Sequence, residues 1–225
     1  MKAVLRSALH LAEKDLVVEF RRIYELLSIV TFALSSILIV SFALRGAVTL
    51  TPEVISAALW IVVFFSSILL LTTSFAREVD KGTIAGLRSL PIPPYTILLG
   101  KILYSGAILL FVVAVTFLSS VMFLNLSTGV LAKLAAVFLV GVLDLALVGS
   151  VVSALVMYSE GKTLLLSFLF FPVSVPVLIP STMATEKIIG GMTFLDAVPE
   201  LRLLLAFMLA VTAVSILLFR YVFVE

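Results

Sequence analysis

Long apolar runs separated by short polar segments make up most of the chain. Each of six runs reaches the ~20 residues that an α-helix needs to cross the hydrocarbon core of a bilayer. The alternation of polar and apolar residues that is typical of membrane β-strands is absent, so the runs are predicted to be helices. The predicted spans are about 26–44, 54–76, 102–124, 134–159, 163–185 and 203–219. This pattern predicts an all-α integral membrane protein with a single transmembrane domain over residues 1–225.

The segment before the first span has a different pattern, in which apolar residues recur at helical spacing among charged ones. Leu5, Leu9, Phe20 and Ile23 fall near one face of a helix. Such a segment is typical of an amphipathic helix that lies in the membrane interface. We therefore predict an interfacial helix over residues 1–24. The alternative is a polar leading segment that only anchors the orientation of the chain.

The composition indicates that lipid is the solvent of this fold. Hydrophobic residues make up 63% of the chain and charged residues 12%, and the mean hydropathy is +1.32. An average soluble domain is about half apolar and about a quarter charged. The absence of cysteine excludes disulfides, thiolate metal sites and thiol catalysis on this chain. The net charge of +2 gives no indication of a nucleic-acid partner.

The distribution of cations predicts the orientation of the chain. If the N-terminus is cytoplasmic, the cytoplasmic segments hold 11 Lys and Arg residues and the outer loops hold 4. Positive charge is enriched on the cytoplasmic side of membrane proteins. We therefore predict a multi-pass protein of the cytoplasmic (inner) membrane, with both termini and the loop at 77–101 in the cytoplasm.

This loop interrupts the apolar pattern between the second and third spans. Val79, Thr83, Leu87 and Leu90 are about one helical turn apart, which predicts a short helix with an apolar stripe. Prolines then end the helix and stiffen the chain. We predict a rigid cytoplasmic loop that fixes a docking surface or transmits force. The alternative is a solvated loop with ordinary cytoplasmic charges.

Several residues of the loop have specific predicted roles. Glu78 and Lys81 stand three positions apart on the predicted helix and can pair. Gly82 and Gly86 would let another backbone approach closely. The proline-rich piece that begins at Pro91 would be extended and would precede the third span.

Two other motifs limit the chemistry of this chain. The sequence SEGKT at 159–163 contains the Gly-Lys-Thr of a phosphate-binding loop, but Val156 stands where the motif requires its first glycine. We therefore expect no nucleotide site and no ATPase motor here. The only histidine, His10, lies in the N-terminal segment, so no histidine of a span or outer loop is available to ligate haem.

The spans contain two unusual polar or helix-breaking features. Asp144 is an ionisable residue inside the fourth span, which by default indicates a function. Pairing with a partner helix, proton relay and protonated packing all remain open for it. Pro172, Pro176 and Pro180 recur every four residues in the fifth span and are predicted to kink or break that helix.

One ordered motif runs through the loop up to the start of the third predicted span: Glu78, Gly82-Thr83-Ile84, Leu87, Leu90-Pro91-Ile92-Pro93 and Lys101. It resembles the coupling loop of ABC-transporter permeases and is most similar to that of the CcmB family, haem exporter protein B. The resemblance extends to Trp60, Ser66-Ser67, Gly149, Ala154-Leu155, Pro172 and Pro176. Ala85 departs from the pattern, because many members of the family have glutamate there.

The resemblance implies an ABC exporter permease-like fold and a non-catalytic membrane subunit. Its implied partners are a CcmA-like ATPase that binds ATP, a CcmC-like haem-handling protein and a second copy of this chain. The complex would act in cytochrome c maturation, using ATP to export haem or to release a haem-loaded chaperone. This chain itself is expected to hold no cofactor and no metal. The implied coupling residues are Arg77, Glu78, Lys81, Gly82, Thr83, Leu87, Arg88, Pro91 and Lys101.

Two alternative functions differ in cargo or mechanism. An ABC permease of the same architecture would move lipid, drug or polysaccharide. A proton-coupled carrier would use Asp144 and no ATPase.

Overall fold

A computed structural model describes residues 2–44, 51–71 and 78–222. All regular elements within these residues are helical, which confirms the all-α prediction. They are α1 (Lys2–Arg21), α2 (Ile23–Leu44), α3 (Pro52–Leu71), α4 (Ile84–Arg88), α5 (Pro94–Phe123), α6 (Thr128–Val156), α7 (Lys162–Ile189), a 3₁₀-helix (Phe194–Ala197) and α8 (Val198–Val222).

The described residues contain six helices that are long and apolar enough to cross a membrane: α2, α3, α5, α6, α7 and α8. This confirms the prediction of six membrane helices. In the most apolar stretch of α6, 72% is buried in the protein. The corresponding value for the span that contains α8 is 11%. Helices α3, α5, α7 and α8 pack on α6, and α8 lies at the edge of the bundle.

Helix α1 has three faces with different surroundings. Ala8 and Glu19 belong to the face that is buried against α5. Leu5, Leu9 and Phe20 belong to a second face, which is exposed. Charged side chains form the third. The predicted apolar stripe is thus the face available to lipid, as an interfacial helix requires, and a different face packs on α5.

The backbones of α1 and α5 approach closely at Gly100. A Cβ atom built on Gly100 would lie 2.8 Å from Leu11 Cβ and 3.1 Å from the Ala8 carbonyl oxygen, so no side chain fits there. No close approach to Gly82 or Gly86 occurs within the described part of the chain, so an approach by another chain stays a prediction. Among the described residues, no atom beyond the chain neighbours lies within 4 Å of a Cβ built on either of those glycines.

Trp60 fixes the contact between α3, α6 and α7. Its ring stacks on Phe138 with 4.4 Å between the ring centroids. Its Nε1–H donates a hydrogen bond to Thr185 Oγ1 at 2.9 Å. Gly141 leaves room for the indole, since a Cβ there would lie 2.4 Å from a ring carbon. Packing and a satisfied buried donor therefore hold these three helices in one arrangement.

Helix α7 continues through three prolines. Pro172, Pro176 and Pro180 all lie within Lys162–Ile189, so the predicted break is wrong, and the predicted kink stays a prediction. Each proline removes the amide that would bond to the carbonyl four residues earlier. Because the prolines are four apart, the carbonyls that lose a donor lie along one side of the helix, and the hydrogen bonds of the other sides remain.

Gly100→Ala is expected to destabilise the protein by about 1–3 kcal/mol relative to Gly106→Ala. Both substitutions add one methyl group to α5 and gain the same helix propensity. At Gly106 the new Cβ first meets the movable tip of the Leu143 side chain, at 3.3 Å, rather than another helix backbone. Thermal unfolding of both variants in one detergent measures the difference. Equal unfolding midpoints would show that α1 is not held at this crossing.

Candidate functional site

The residues that precede α5 form a compact turn rather than an open loop. We call the described residues 78–93 the coupling segment. The Thr83 N–H donates to the Glu78 carbonyl at 2.9 Å, which closes the turn. Gly82 lies inside this turn with a φ of 66°, a conformation that favours glycine. Pro94 suits the first turn of α5 because no amide is needed there.

The start of α5 at Pro94 changes the surroundings of Lys101. The predicted span began near residue 102, whereas α5 begins eight residues earlier. Lys101 is therefore inside the helix, and its side chain is only 6% exposed. A lysine removed from water to this extent requires anionic partners.

Two carboxylates from different segments compensate the Lys101 ammonium group. Asp15 Oδ2 on α1 lies 2.8 Å from Lys101 Nζ, and Glu78 Oε1 lies 3.2 Å from it. Lys14 Nζ lies 3.0 Å from the same Glu78 oxygen and 3.1 Å from Asp15 Oδ1. We call these four residues the ion cluster. Its alternating charges join α1, the coupling segment and α5.

Glu78 is also held from within the coupling segment. The Thr83 hydroxyl donates to Glu78 Oε2, so both carboxylate oxygens of Glu78 are engaged. The predicted pair between Glu78 and Lys81 is wrong, because Glu78 pairs with Lys14 and Lys101 instead. The Lys81 side chain is exposed.

The surroundings of Glu78 keep its carboxyl group ionised. Burial raises its pKa, but the charge of Lys101, the hydrogen bond from Thr83 and the nearby Lys14 together lower it more. The pKa therefore falls from 4.5 to about 2. Burial likewise opposes the charged form of Lys14, but Asp15 and Glu78 outweigh burial and raise the pKa of Lys14. Both side chains are thus charged at neutral pH.

A cavity of about 160 Å³ opens beside the ion cluster. Lys81 and Tyr104 are part of its wall. The Tyr104 hydroxyl donates to Glu19 Oε2 at 2.7 Å, and both side chains are buried. Polar contacts therefore continue from the ion cluster along the interface between α1 and α5.

Two further contacts hold the coupling segment against the bundle. Asp80 pairs with Lys162, the first residue of α7. Leu87 of α4 is 6% exposed and belongs to a small apolar cluster that includes Ile97 of α5 and Val151 of α6. The segment is thus attached to α1, α5, α6 and α7. This geometry favours the prediction of a rigid loop over that of a solvated one.

The predicted coupling residues divide into three groups. Those that make the internal contacts are Glu78, Thr83, Leu87 and Lys101. Those exposed on the surface without such contacts are Lys81, Gly82 and Pro91. Arg77 lies outside the described residues, as does the side chain of Arg88.

Sequence reasoning missed the part of the site that α1 contributes. Lys14, Asp15 and Glu19 of α1 take part in it, and Tyr104 of α5 binds Glu19. A signal is present in the sequence, because Asp15 and Glu19 are four residues apart and share a side of α1 with Ala8. The apolar pattern of α1 is set by its larger residues, which lie on the exposed face, so it does not indicate the face that packs on α5.

The predicted intramembrane residues lie away from the coupling segment. Asp144 is fully buried near the middle of α6. On α7, Pro172 and Pro176 are exposed, and Pro180 is buried.

The fold and the site define a multi-pass helical membrane protein whose bundle holds a structured polar segment at one end. A family model described as CcmB protein matches residues 6–221 of the 225-residue chain. The chain belongs to the CcmB family, which confirms the resemblance. Members of this family are non-catalytic permease subunits of ABC transporters in haem export and cytochrome c maturation. None of the curated proteins compared with the chain matches it.

Glu78→Gln is expected to destabilise the protein at neutral pH but not in acid. Because the folded-state pKa of about 2 is below the ordinary 4.5, ionised Glu78 stabilises the fold above about pH 4.5, and this stabilisation is lost as the pH falls toward about 2. The difference in unfolding midpoint between wild type and Glu78→Gln should therefore shrink from about pH 6 to about pH 3. Glu160→Gln, on the exposed loop before α7, is the control. A difference that stays constant with pH would contradict the role of the ion cluster.

Proposed function

We propose that this chain is the membrane subunit through which a separate CcmA-like ATPase drives haem export or the release of a haem-loaded chaperone. The observation that supports this proposal most is the attachment of the coupling segment to four helices. The ion cluster joins it to α1 and α5, the apolar cluster that contains Leu87 joins it to α6, and Asp80 joins it to α7. The segment and both termini would lie on the cytoplasmic side, where ATP is hydrolysed.

The exposed side of the coupling segment would be the surface that the ATPase contacts. Lys81, Ala85, Gly86 and Pro91 are exposed there. Lys14 of α1 lines the same cavity as Lys81, so the charged face of α1 borders this surface. Glu78 and Leu87 face inward and hold the surface in place. Since Ala85 stands where many family members have glutamate, this chain would make its contact without that carboxylate.

Helix α5 would carry the motion across the bilayer. It is a continuous helix of 30 residues, about 45 Å long at a rise of 1.5 Å per residue, which exceeds the thickness of the hydrocarbon core. Lys101 and Ile97, which bind the coupling segment, lie in its first turns. A force on the coupling segment would therefore act on α5 directly, with no flexible linker between them.

The cargo and the other partners follow from family membership. A CcmC-like protein would handle haem, because the only histidine of this chain, His10, lies in α1 and not in a membrane-spanning helix. Two copies of this chain would be required, since ABC ATPases act as dimers. ATP would bind to the ATPase subunit.

Lys81→Glu is expected to reduce capture of the ATPase several-fold and to lower c-type cytochrome assembly, because it reverses a charge on the docking surface. Lys133→Glu is the matched control, as it reverses an exposed lysine at the opposite end of the bundle. Capture is measured as ATPase co-purified per membrane subunit in mild detergent. Equal capture by the two variants would contradict docking at the coupling segment.

A further inference from the structure

Asp144 is an acid buried in the middle of the helix bundle. Its exposure is 0%, and neither carboxyl oxygen accepts a hydrogen bond from a described residue. A buried polar group without a partner is costly, above all at membrane depth, where no water replaces the missing bond. We therefore expect the Asp144 carboxyl group to form a hydrogen bond with a group on a neighbouring helix.

Two close contacts set the register between α6 and α7. A Cβ built on Gly141 would lie 2.8 Å from Ser181 Oγ, and one built on Gly149 would lie 3.1 Å from a ring carbon of Phe170. Later residues of α6 thus lie beside earlier residues of α7, so the two helices are antiparallel. These contacts fix which residues of the two helices share a level.

Asp144 and the Pro176 carbonyl lie at the same level in this register. Interpolation between the two contacts places Asp144 level with Pro176 and Val177. A helical side chain leans toward the N-terminus of its helix, and a helical carbonyl points toward the C-terminus. Since α6 and α7 are antiparallel, both groups lean in the same direction and remain level.

Asp144 also points toward the side of α6 that faces α7 and α8. At 100° per residue, it lies about 60° from Gly141, which contacts α7, and about 60° in the other direction from Leu147. Leu147 belongs to the apolar cluster against which Met208 of α8 packs. Asp144 therefore points into the junction of α6, α7 and α8.

The Pro176 carbonyl lacks the amide donor that normally lies four residues later in a helix. Pro180 is buried and stands four residues later, where it has no amide hydrogen to donate. A carbonyl freed in this way is tolerated in a membrane only where protein or a cavity covers it and supplies a partner. The carbonyl oxygen needs a hydrogen-bond donor, and the O–H of a protonated Asp144 is such a donor.

We propose that Asp144 carries a proton and donates a hydrogen bond to the Pro176 carbonyl, which ties α6 to the proline-containing part of α7 inside the membrane. Asp144 would be a positioning residue, because it sets how α7 lies against α6. This proposal does not depend on the ATPase partner or on the cargo.

The described surroundings do not support an ionised Asp144. The basic residues of the spans whose side chains are described lie toward helix ends: Lys101, Lys133, Lys162, Lys187 and Arg202. A carboxylate without a cation would need several donors. The Ser181 hydroxyl, which lies against Gly141 one turn away, could donate only one hydrogen bond. A neutral acid needs only one acceptor for its proton.

A double-mutant cycle on the full chain in lipid nanodiscs tests the proposal. Asp144→Ala should lower the thermal unfolding midpoint by roughly 2–6 °C. Pro180→Ala restores an amide to the Pro176 carbonyl, so in that background Asp144→Ala should cost less than half as much. Pro172→Ala is the matched control, since it restores an amide to the carbonyl of Phe168, on a different level. The same cost in both proline backgrounds would overturn the proposal.

Two further readouts separate a hydrogen bond from simple loss of volume. Asp144→Asn retains a donor, so it should keep most of the stability that Asp144→Ala loses. The infrared difference spectrum of wild type minus Asp144→Asn should contain the C=O band of a protonated carboxyl group. Absence of that band, or an Asn variant as unstable as the Ala variant, would overturn the proposal.

Discussion

The burial of a single lysine constrains one whole end of this protein. Lys101 lies inside α5, and the carboxylates that compensate it come from two other parts of the chain, Asp15 on α1 and Glu78 on the coupling segment. Removing either carboxylate would leave Lys14 and Lys101 with a single anionic partner between them, which would destabilise this end of the protein. Helix α1 and the coupling segment are therefore held to α5 by the same requirement. In a chain of which only 12% is charged, four charged residues meet at this one point.

The remaining contacts extend this attachment into the bundle. Leu87 connects the coupling segment to α6, the most buried spanning helix. Trp60 and Gly141 lock α6 to α3 and α7 through stacking and close packing. The proposed bond from Asp144 would add a polar contact between α6 and α7 in the membrane. The coupling segment is thus held at one end of the bundle with a packed core behind it, so a motion of this segment would be shared by the spanning helices.

The sequence predicted the features that depend on composition and length. Apolar runs of spanning length predicted six membrane helices, and the motif from Glu78 to Lys101 indicated the family. The pairing of Glu78 was not predictable from local spacing, because its partners are 64 and 23 residues away in the chain. The early start of α5 was missed because prolines indicate a break, although Pro94 suits a first helical turn. The predicted break in α7 was wrong for a related reason, because prolines four residues apart leave most of the hydrogen bonds of the helix intact.

The central claim is that the coupling segment and α5 move as one body. Since the chain has no cysteine, Gly86→Cys on α4 and Leu118→Cys on α5, both exposed, provide two unique positions for spin labels. The labelled protein is first shown to capture the ATPase as well as wild type does, and it is diluted with unlabelled copies so that only distances within one copy are measured. Double electron–electron resonance then gives the distance between the two labels after assembly with the ATPase, with and without ATP. We expect a narrow distance distribution that ATP does not shift, and a broader one when Lys101→Met is added. A distance that shifts on ATP binding without that substitution would contradict the claim.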